Sequence, residues 1–347
     1  MANLFEQIES GVVSLLMRMP DGLVERLTKE RWMVDGEPFD RRTQYLFHLS
    51  RRNQRSMPDI PLEDARRYYH RVCQVLDSPP PPIERMQALE IPTRLGSLDA
   101  RVYYPPGTHE AAGPLPCLIY YHGGGFTIGS LDTHDALCRR LCALAKCVVV
   151  SPDYRLAPEH PFPAAVEDSY DVYTWVRDNA GTLGIAVDQL GVGGDSAGGN
   201  LAATIAAIAR DQAAPLPKVQ LLIYPAVGTI DHPGRKKPEL QSGYGLDAKT
   251  TAWFAECYVP KGQEGNPGIA PLHLASHRNL PPAIIVTAQF DLLCEEGIEY
   301  VNVLRDAETP VTHLHYTDLP HGFATMCALP RANEAMTEVA NALRAAL

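Results

Sequence analysis

The sequence predicts an α/β fold built on a mostly parallel sheet with helices on both faces. Short, β-branched apolar runs recur between Ala100 and Tyr316, separated by helical stretches, which is the pattern of strands buried on both sides. A serine flanked by glycines, Gly194-Asp195-Ser196-Ala197-Gly198, stands where one such run gives way to an Ala-rich helix. The 347 residues suffice for one large domain of this kind.

Along the chain, residues 1–82 read as a helical segment rich in charge. Its runs Arg51-Arg52-Asn53-Gln54-Arg55 and Asp64-Ala65-Arg66-Arg67-Tyr68-Tyr69-His70-Arg71 are expected to be solvated helix faces. The cluster Pro79-Pro80-Pro81-Pro82 closes the segment, because proline cannot continue a helix and biases its neighbour towards extended geometry. Strands are predicted at Ala100–Tyr104, Cys117–Tyr121, Cys147–Ser151, Leu190–Val192, Val219–Tyr224, Ala283–Thr287 and His313–Tyr316. Leu201–Ala209 is expected to be a buried helix. At about 227–260 a polar loop leads into a helix at Ala248–Tyr258, which reads as an insertion at the ligand edge of a domain spanning 83–347.

Composition narrows the function. Hydrophobic residues make up 45% and charged residues 21%, and no apolar run is long enough to span a bilayer, so no stable membrane insertion is expected. The start Met1-Ala2-Asn3-Leu4-Phe5-Glu6 lacks the basic opening and apolar core of a secretory signal, which points to a cytoplasmic protein. Against 31 basic side chains stand 41 acidic ones, a net charge of −10 that disfavours nucleic acid and anionic membranes and favours a neutral small molecule. The eight cysteines form no C-x-x-C pair. Cys138 and Cys142 share a helix face without histidines to complete a zinc site, so buried thiols and no metal are expected.

The glycine-flanked serine has a specific use. In a G-x-S-x-G turn from strand to helix, Ser196 is held in a strained conformation that lifts its Oγ clear of the sheet, and only small neighbours such as Gly194 and Gly198 fit. Such a turn can also be a plain cap and packing contact. A second motif, His122-Gly123-Gly124-Gly125-Phe126 after a strand, favours chemistry. A serine hydroxyl is a weak nucleophile until a base removes its proton, so a histidine and an orienting carboxylate are required. Asp291, after the strand at Ala283, and His321, in Leu319-Pro320-His321-Gly322-Phe323, both occupy strand-end loops. Glu295 and Glu296 are alternative acids. His134, His160 and His313 are alternative bases, but none stands at a glycine-flanked turn after the final strand. The glycines let backbone N–H groups approach an oxyanion, and the assigned donors are those of Gly124, Gly125 and Ala197. His122 reads as an anchor for this loop.

On these motifs the chain resembles the hormone-sensitive-lipase-like branch of the α/β-hydrolase esterases, the family IV bacterial carboxylesterases, from about residue 85 to the C-terminus. The further segments Asp153-Tyr154-Arg155-Leu156-Ala157-Pro158-Glu159 and Pro161-Phe162-Pro163-Ala164-Ala165 are similar to the family's structural signature and imply scaffold for the site. The resemblance implies an α/β-hydrolase fold with a helical cap and the chain order Ser196, Asp291, His321 for the reacting groups. The family's acid motif D-P-L-x-D-E reads Asp291-Leu292-Leu293-Cys294-Glu295-Glu296 here, with leucine for proline and glutamate for the second aspartate. By resemblance, residues 1–82 and the insertion form the cap, with Phe126, Trp253, Phe254 and Tyr258 as candidates to line the substrate site, and a homodimer is expected. Some relatives are hormone receptors without the histidine, and His321 argues against that role.

The expected activity is that of a cofactor-free serine carboxylesterase acting on short-to-medium acyl esters through an acyl-enzyme. It should fade as acid protonates the histidine. An amidase, a deacetylase or a lactone hydrolase would use the same groups, and a non-catalytic small-molecule receptor would keep only the pocket.

Overall fold

The computed structural model describes residues 18–50, 56–108 and 113–347. At its centre is an eight-stranded sheet in the order β10-β9-β8-β7-β5-β6-β4-β3. The strands are β3 (Arg85–Thr93), β4 (Gly96–Tyr104), β5 (Leu115–Tyr121), β6 (Val148–Pro152), β7 (Ile185–Asp195), β8 (Gln220–Ile223), β9 (Ala283–Phe290) and β10 (Val311–Pro320). From β6 to β10 every pairing is parallel, whereas β4 runs antiparallel to both β3 and β6. All seven predicted strands are present, most of them longer than the apolar runs that announced them.

Strand side chains alternate between two cores, as the two-residue period requires. Leu118 and Tyr120 of β5 join the core beneath the helices Asp135–Ala145 (α4) and Pro330–Ala346 (α10). Cys117, Ile119 and Tyr121 join the opposite core, beneath Ala164–Asp178 (α5), Ala197–Asp211 (α7) and Cys294–Asp306 (α9). The short helix Ala180–Leu183 (α6) leads into β7. Cys138 and Cys142 are fully buried on α4, and all eight cysteines are free thiols.

Two elements escaped the sequence reading. β3, just past the proline cluster, is not among the predicted strands; it forms a nine-residue edge strand in which only Ile91 is buried, so it carries no apolar run. Within the N-terminal segment, expected to be helical throughout, a small hairpin joins β1 (Met33–Val34) to β2 (Glu37–Pro38). Asp35 and Gly36 have φ of 53° and 83°, the left-handed pair that a tight Asp-Gly hairpin turn requires. The remaining described elements there are helical: Asp21–Leu27 (α1), Arg41–Ser50 (α2), a short 3-10 helix at Met57–Asp59 and Leu62–Leu76 (α3). The run Arg51 to Arg55 lies outside the described residues.

The N-terminal segment is bound to the sheet by aromatic packing. Phe39 lies 4.5 Å from Phe290 at the end of β9 and 5.4 Å from Tyr244 of the insertion, ring centroid to centroid. The solvated face expected around Arg66 is corrected by the structure. Its guanidinium donates to Ala157 O at 3.1 Å and grips both Glu159 oxygens at 2.8 Å, while its Nε donates to Thr127 O at 3.0 Å. Arg66 thus ties α3 to the loops that follow β5 and β6. Arg67, paired with Asp64, is the exposed side chain of that run.

Candidate active site

Ser196, Asp291, His321 and the glycines after Tyr121 lie on four loops at the C-terminal ends of β7, β9, β10 and β5. An open parallel sheet presents its functional groups at this edge. Ser196 has φ 53° and ψ −115° and stands between β7 and α7. A non-glycine residue holds such a conformation only where its surroundings force it. Its N–H donates to Ile223 O at 2.8 Å, and its carbonyl receives the Asn200 and Ala226 N–H groups at 3.0 and 3.2 Å. The flanking glycines are dictated by crowding, because a Cβ on Gly194 or on Gly198 would collide with the Tyr121 carbonyl.

The turn brings Ser196 Oγ to 3.0 Å from His321 Nε2, and His321 Nδ1 lies 2.8 Å from Asp291 Oδ2. The other carboxylate oxygen of Asp291 accepts the Leu293 N–H at 2.8 Å. With Leu292 buried and Leu293 anchoring the carboxylate, the departures from the family's acid motif leave Asp291 on the histidine. Glu296, one of the alternative acids, is occupied elsewhere. It is fully buried and bound by Arg235 at 2.6 and 2.8 Å and by the N–H groups of Val227 and Gly228. Glu295 pairs with Lys237 at 2.7 Å, which also grips Asp35. Of the alternative bases, His313 shares the Thr287 hydroxyl with His315 on the sheet, His160 is exposed, and His134 lies under the glycine loop.

The glycine loop adopts φ of +118° at Gly124 and +59° at Gly125, where a side chain would be strained. A Cβ on Gly125 would enter the Phe254 ring and one on Gly123 the Asp195 carboxylate. Among the described residues, the N–H groups of Gly124, Gly125 and Ala197 donate to no protein acceptor, and all three residues border the same cavity as Ser196. His122 is buried, with Nδ1 2.8 Å from the Gly123 carbonyl, and Tyr154 stacks on its ring at 4.3 Å and donates to its carbonyl at 2.7 Å. Tyr154 belongs to the Asp153–Glu159 segment, in which Arg155 also clasps the buried Asp168 at 2.8 Å. These contacts are those of a scaffold.

Burial, reinforced by nearby His134, lowers the pKa of His122 from 6.5 to about 3, so the ring is neutral in the folded protein. Between those two values the unfolded chain holds the extra proton, so stability is complete above 6.5 and declines as the pH falls towards 3. At pH 5 the expected loss from this residue is about 2 kcal/mol. Asp195 acts in the same direction: burial pushes its carboxyl up, but His134 and Tyr120 outweigh it and hold it below the usual range. Urea unfolding at pH 7 and pH 5 reads the effect. In His122→Asn, whose amide can keep the bond to Gly123 without titrating, the difference should shrink.

A cavity of about 1760 Å³ opens above Ser196 and His321. Its wall includes Phe126, Phe254 and Tyr258, with Phe126 stacked on Tyr258 at 3.8 Å. Trp253, named with them from the sequence, is corrected: it is absent from the wall and packs against Phe254 with ring centroids 5.2 Å apart. Its position next to Phe254 turns it to a different side of the helix Ala248–Tyr258 (α8). Tyr224, which no motif singled out, has φ 35°, places its ring 4.7 Å from that of His321 and accepts the Ala324 N–H at 3.3 Å. Its place at the end of β8 was the available signal. Among the described residues no cluster of three metal-ligating side chains occurs, and no helix is long and apolar enough to cross a membrane.

Residues 118–325 match the model of a family described by its alpha/beta hydrolase fold. The chain is 37% identical to the carboxylic ester hydrolase LipN of Mycobacterium tuberculosis, over 91% of this chain and 85% of that protein. It is 34% identical to an ethyl acetate hydrolase of Pseudomonas putida, over 83% of this chain and 91% of the other. Among solved structures, an esterase of Pyrobaculum calidifontis superimposes with a TM-score of 0.80 at 38% identity, covering 89% of this chain and 99% of that one. Similarity of this extent, on a chain that carries both glycine motifs, makes the protein a carboxylic ester hydrolase belonging to the hormone-sensitive-lipase-like family of α/β hydrolases.

Proposed function

We propose that Ser196 is the nucleophile of a serine carboxylesterase for short-to-medium acyl esters, working with His321 and Asp291 through an acyl-enzyme. The observation that carries this reading is the hydrogen-bonded chain from Ser196 Oγ to His321 at 3.0 Å and from His321 to Asp291 at 2.8 Å. His321 takes the serine proton as Oγ attacks the ester carbonyl, then returns it to the leaving alcohol. Asp291 holds the imidazole in the tautomer that has Nε2 free to accept. The N–H groups of Gly124, Gly125 and Ala197 receive the oxyanion, and their lack of protein acceptors supports that role. Water repeats the sequence on the acyl-enzyme and releases the acid.

The N-terminal segment and the insertion at about 227–260 act as the cap, a role supported by the cavity wall, to which α3, the insertion and α8 all contribute. The aromatic enclosure by Phe126, Phe254 and Tyr258 supports a limited acyl length, as does the relative named for ethyl acetate. The compartment we propose is the cytoplasm, where the eight free thiols would persist. Hydrolysis of p-nitrophenyl esters from C2 to C16 tests the substrate class. The expected rates peak between C2 and C8, and a peak at C12 or beyond overturns the assignment.

A further inference from the structure

We propose that His134 and Asp195 form a positioning pair that fixes the glycine loop of the oxyanion site relative to the nucleophile. The proposal rests on the reading of Ser196 and the loop amides given above. Asp195 is the residue before Ser196, and its Oδ1 accepts the Gly123 N–H at 2.9 Å and the Tyr120 hydroxyl at 2.8 Å. One side chain therefore joins the serine turn to the loop that carries Gly124 and Gly125. On its other side Gly123 is held through its carbonyl by His122 Nδ1 at 2.8 Å. With both its polar atoms committed, Gly123 leaves the next two peptides little freedom to turn.

His134 completes this arrangement. It is fully buried at the start of α4, with Nε2 3.2 Å from Asp195 Oδ1 and 3.4 Å from Oδ2. A carboxylate only accepts, so Nε2 carries the proton and Nδ1 faces the Thr133 hydroxyl at 2.8 Å. Among the described residues Nε2 is the only hydrogen-bond partner of Oδ2, while Gly123 and Tyr120 both use Oδ1. Without the imidazole, a buried carboxylate oxygen stands unpaired, and the group must rotate or admit water to recover a donor. Either movement drags the Gly123 N–H with it and displaces the donors of Gly124 and Gly125. His134 touches neither the serine nor the cavity, so its effect passes through Asp195 and through Gly123, whose backbone nitrogen lies 3.3 Å from Nε2.

Loss of placement at an oxyanion site lowers kcat and leaves ground-state binding largely intact, because these donors act on charge that develops only in the transition state. The test compares His134→Leu and His134→Gln with the unaltered protein, using p-nitrophenyl butyrate, far-UV circular dichroism and thermal melting. His134→Leu is expected to lose about 10²-fold in kcat with KM changed less than about threefold. Glutamine sets its amide nitrogen near the position of the imidazole Nε2 and can donate to Asp195, so His134→Gln is expected to recover to within about fivefold of the original rate. A folded His134→Leu with unchanged kcat, or a glutamine variant as slow as the leucine one, overturns the proposal. If the leucine variant does not fold, His134→Asn takes its place: asparagine is too short to reach the carboxylate and must be slower than glutamine, and equal rates overturn the proposal. Ser196→Ala, assayed alongside, separates the two levels of the argument. Retained activity in that variant removes the underlying reading, whereas its inactivity beside a fully active His134→Leu removes only the role of His134.

Discussion

Replacing Ser196 with alanine is expected to lower kcat on a p-nitrophenyl ester by about 10⁶-fold, with KM little changed. No other hydroxyl stands in hydrogen-bond contact with the imidazole that Asp291 orients, so nothing in the described site replaces the lost nucleophile. The residual rate should be that of oxyanion binding and substrate orientation alone. Asp291→Asn is expected to cost about 10⁴-fold, since an amide that donates to Nδ1 stabilises the wrong tautomer of His321. Steady-state rates on purified proteins check both. A Ser196→Ala protein within tenfold of the original rate would transfer the chemistry to another residue, and an Asp291→Asn protein of full activity would remove the carboxylate from the mechanism.

Breaking the buried pair of Arg235 and Glu296 is expected to destabilise the fold by about 3–5 kcal/mol. Glu296 sits on α9, just beyond the loop of Asp291. It receives Arg235 at 2.6 and 2.8 Å and the N–H groups of Val227 and Gly228 at 2.9 and 3.1 Å. The segment from Val227 to Arg235 is thereby moored to the start of α9, just beyond the Asp291 loop. Arg235→Met leaves the carboxylate buried without a counter-charge. Adding Glu296→Gln removes that charge yet keeps an acceptor for the two N–H groups, so the double variant is expected to be more stable than Arg235→Met alone. Urea midpoints measure both. A single variant within about 1 kcal/mol of the original would show the mooring to be dispensable. Because Gly228 and Arg235 also border the cavity, KM should rise in the single variant.

What was legible in the sequence follows from where burial leaves a mark. Strands β5 to β10 lie between two layers of helices, and their apolar runs announced them. β3, with Ile91 as its one buried residue, left no such run. The Asp35-Gly36 turn was readable, but strands of two residues give periodicity nothing to work on. At the candidate site, Ser196, Asp291, His321 and the glycines, which the structure brings together, could be named because strain, close approach and strand-end position constrain residue type. Arg66, Tyr224 and His134 act through Glu159, His321 and Asp195, partners 61 to 97 residues away, and no local pattern marks such contacts. Trp253 was misplaced because it falls off the stripe of α8 that faces the cavity, made by Thr250, Thr251, Phe254, Ala255 and Tyr258.

The most direct test of the mechanism is reaction with a p-nitrophenyl alkylphosphonate, followed by intact-mass measurement and peptide mapping. Such a reagent traps whichever nucleophile attacks an ester carbonyl, in a tetrahedral adduct that the oxyanion donors hold. The account predicts one adduct per chain, located on Ser196, formed with release of one nitrophenolate and abolished in Ser196→Ala. An adduct on any other residue, or full ester hydrolysis by a protein whose Ser196 stays unmodified, would contradict it.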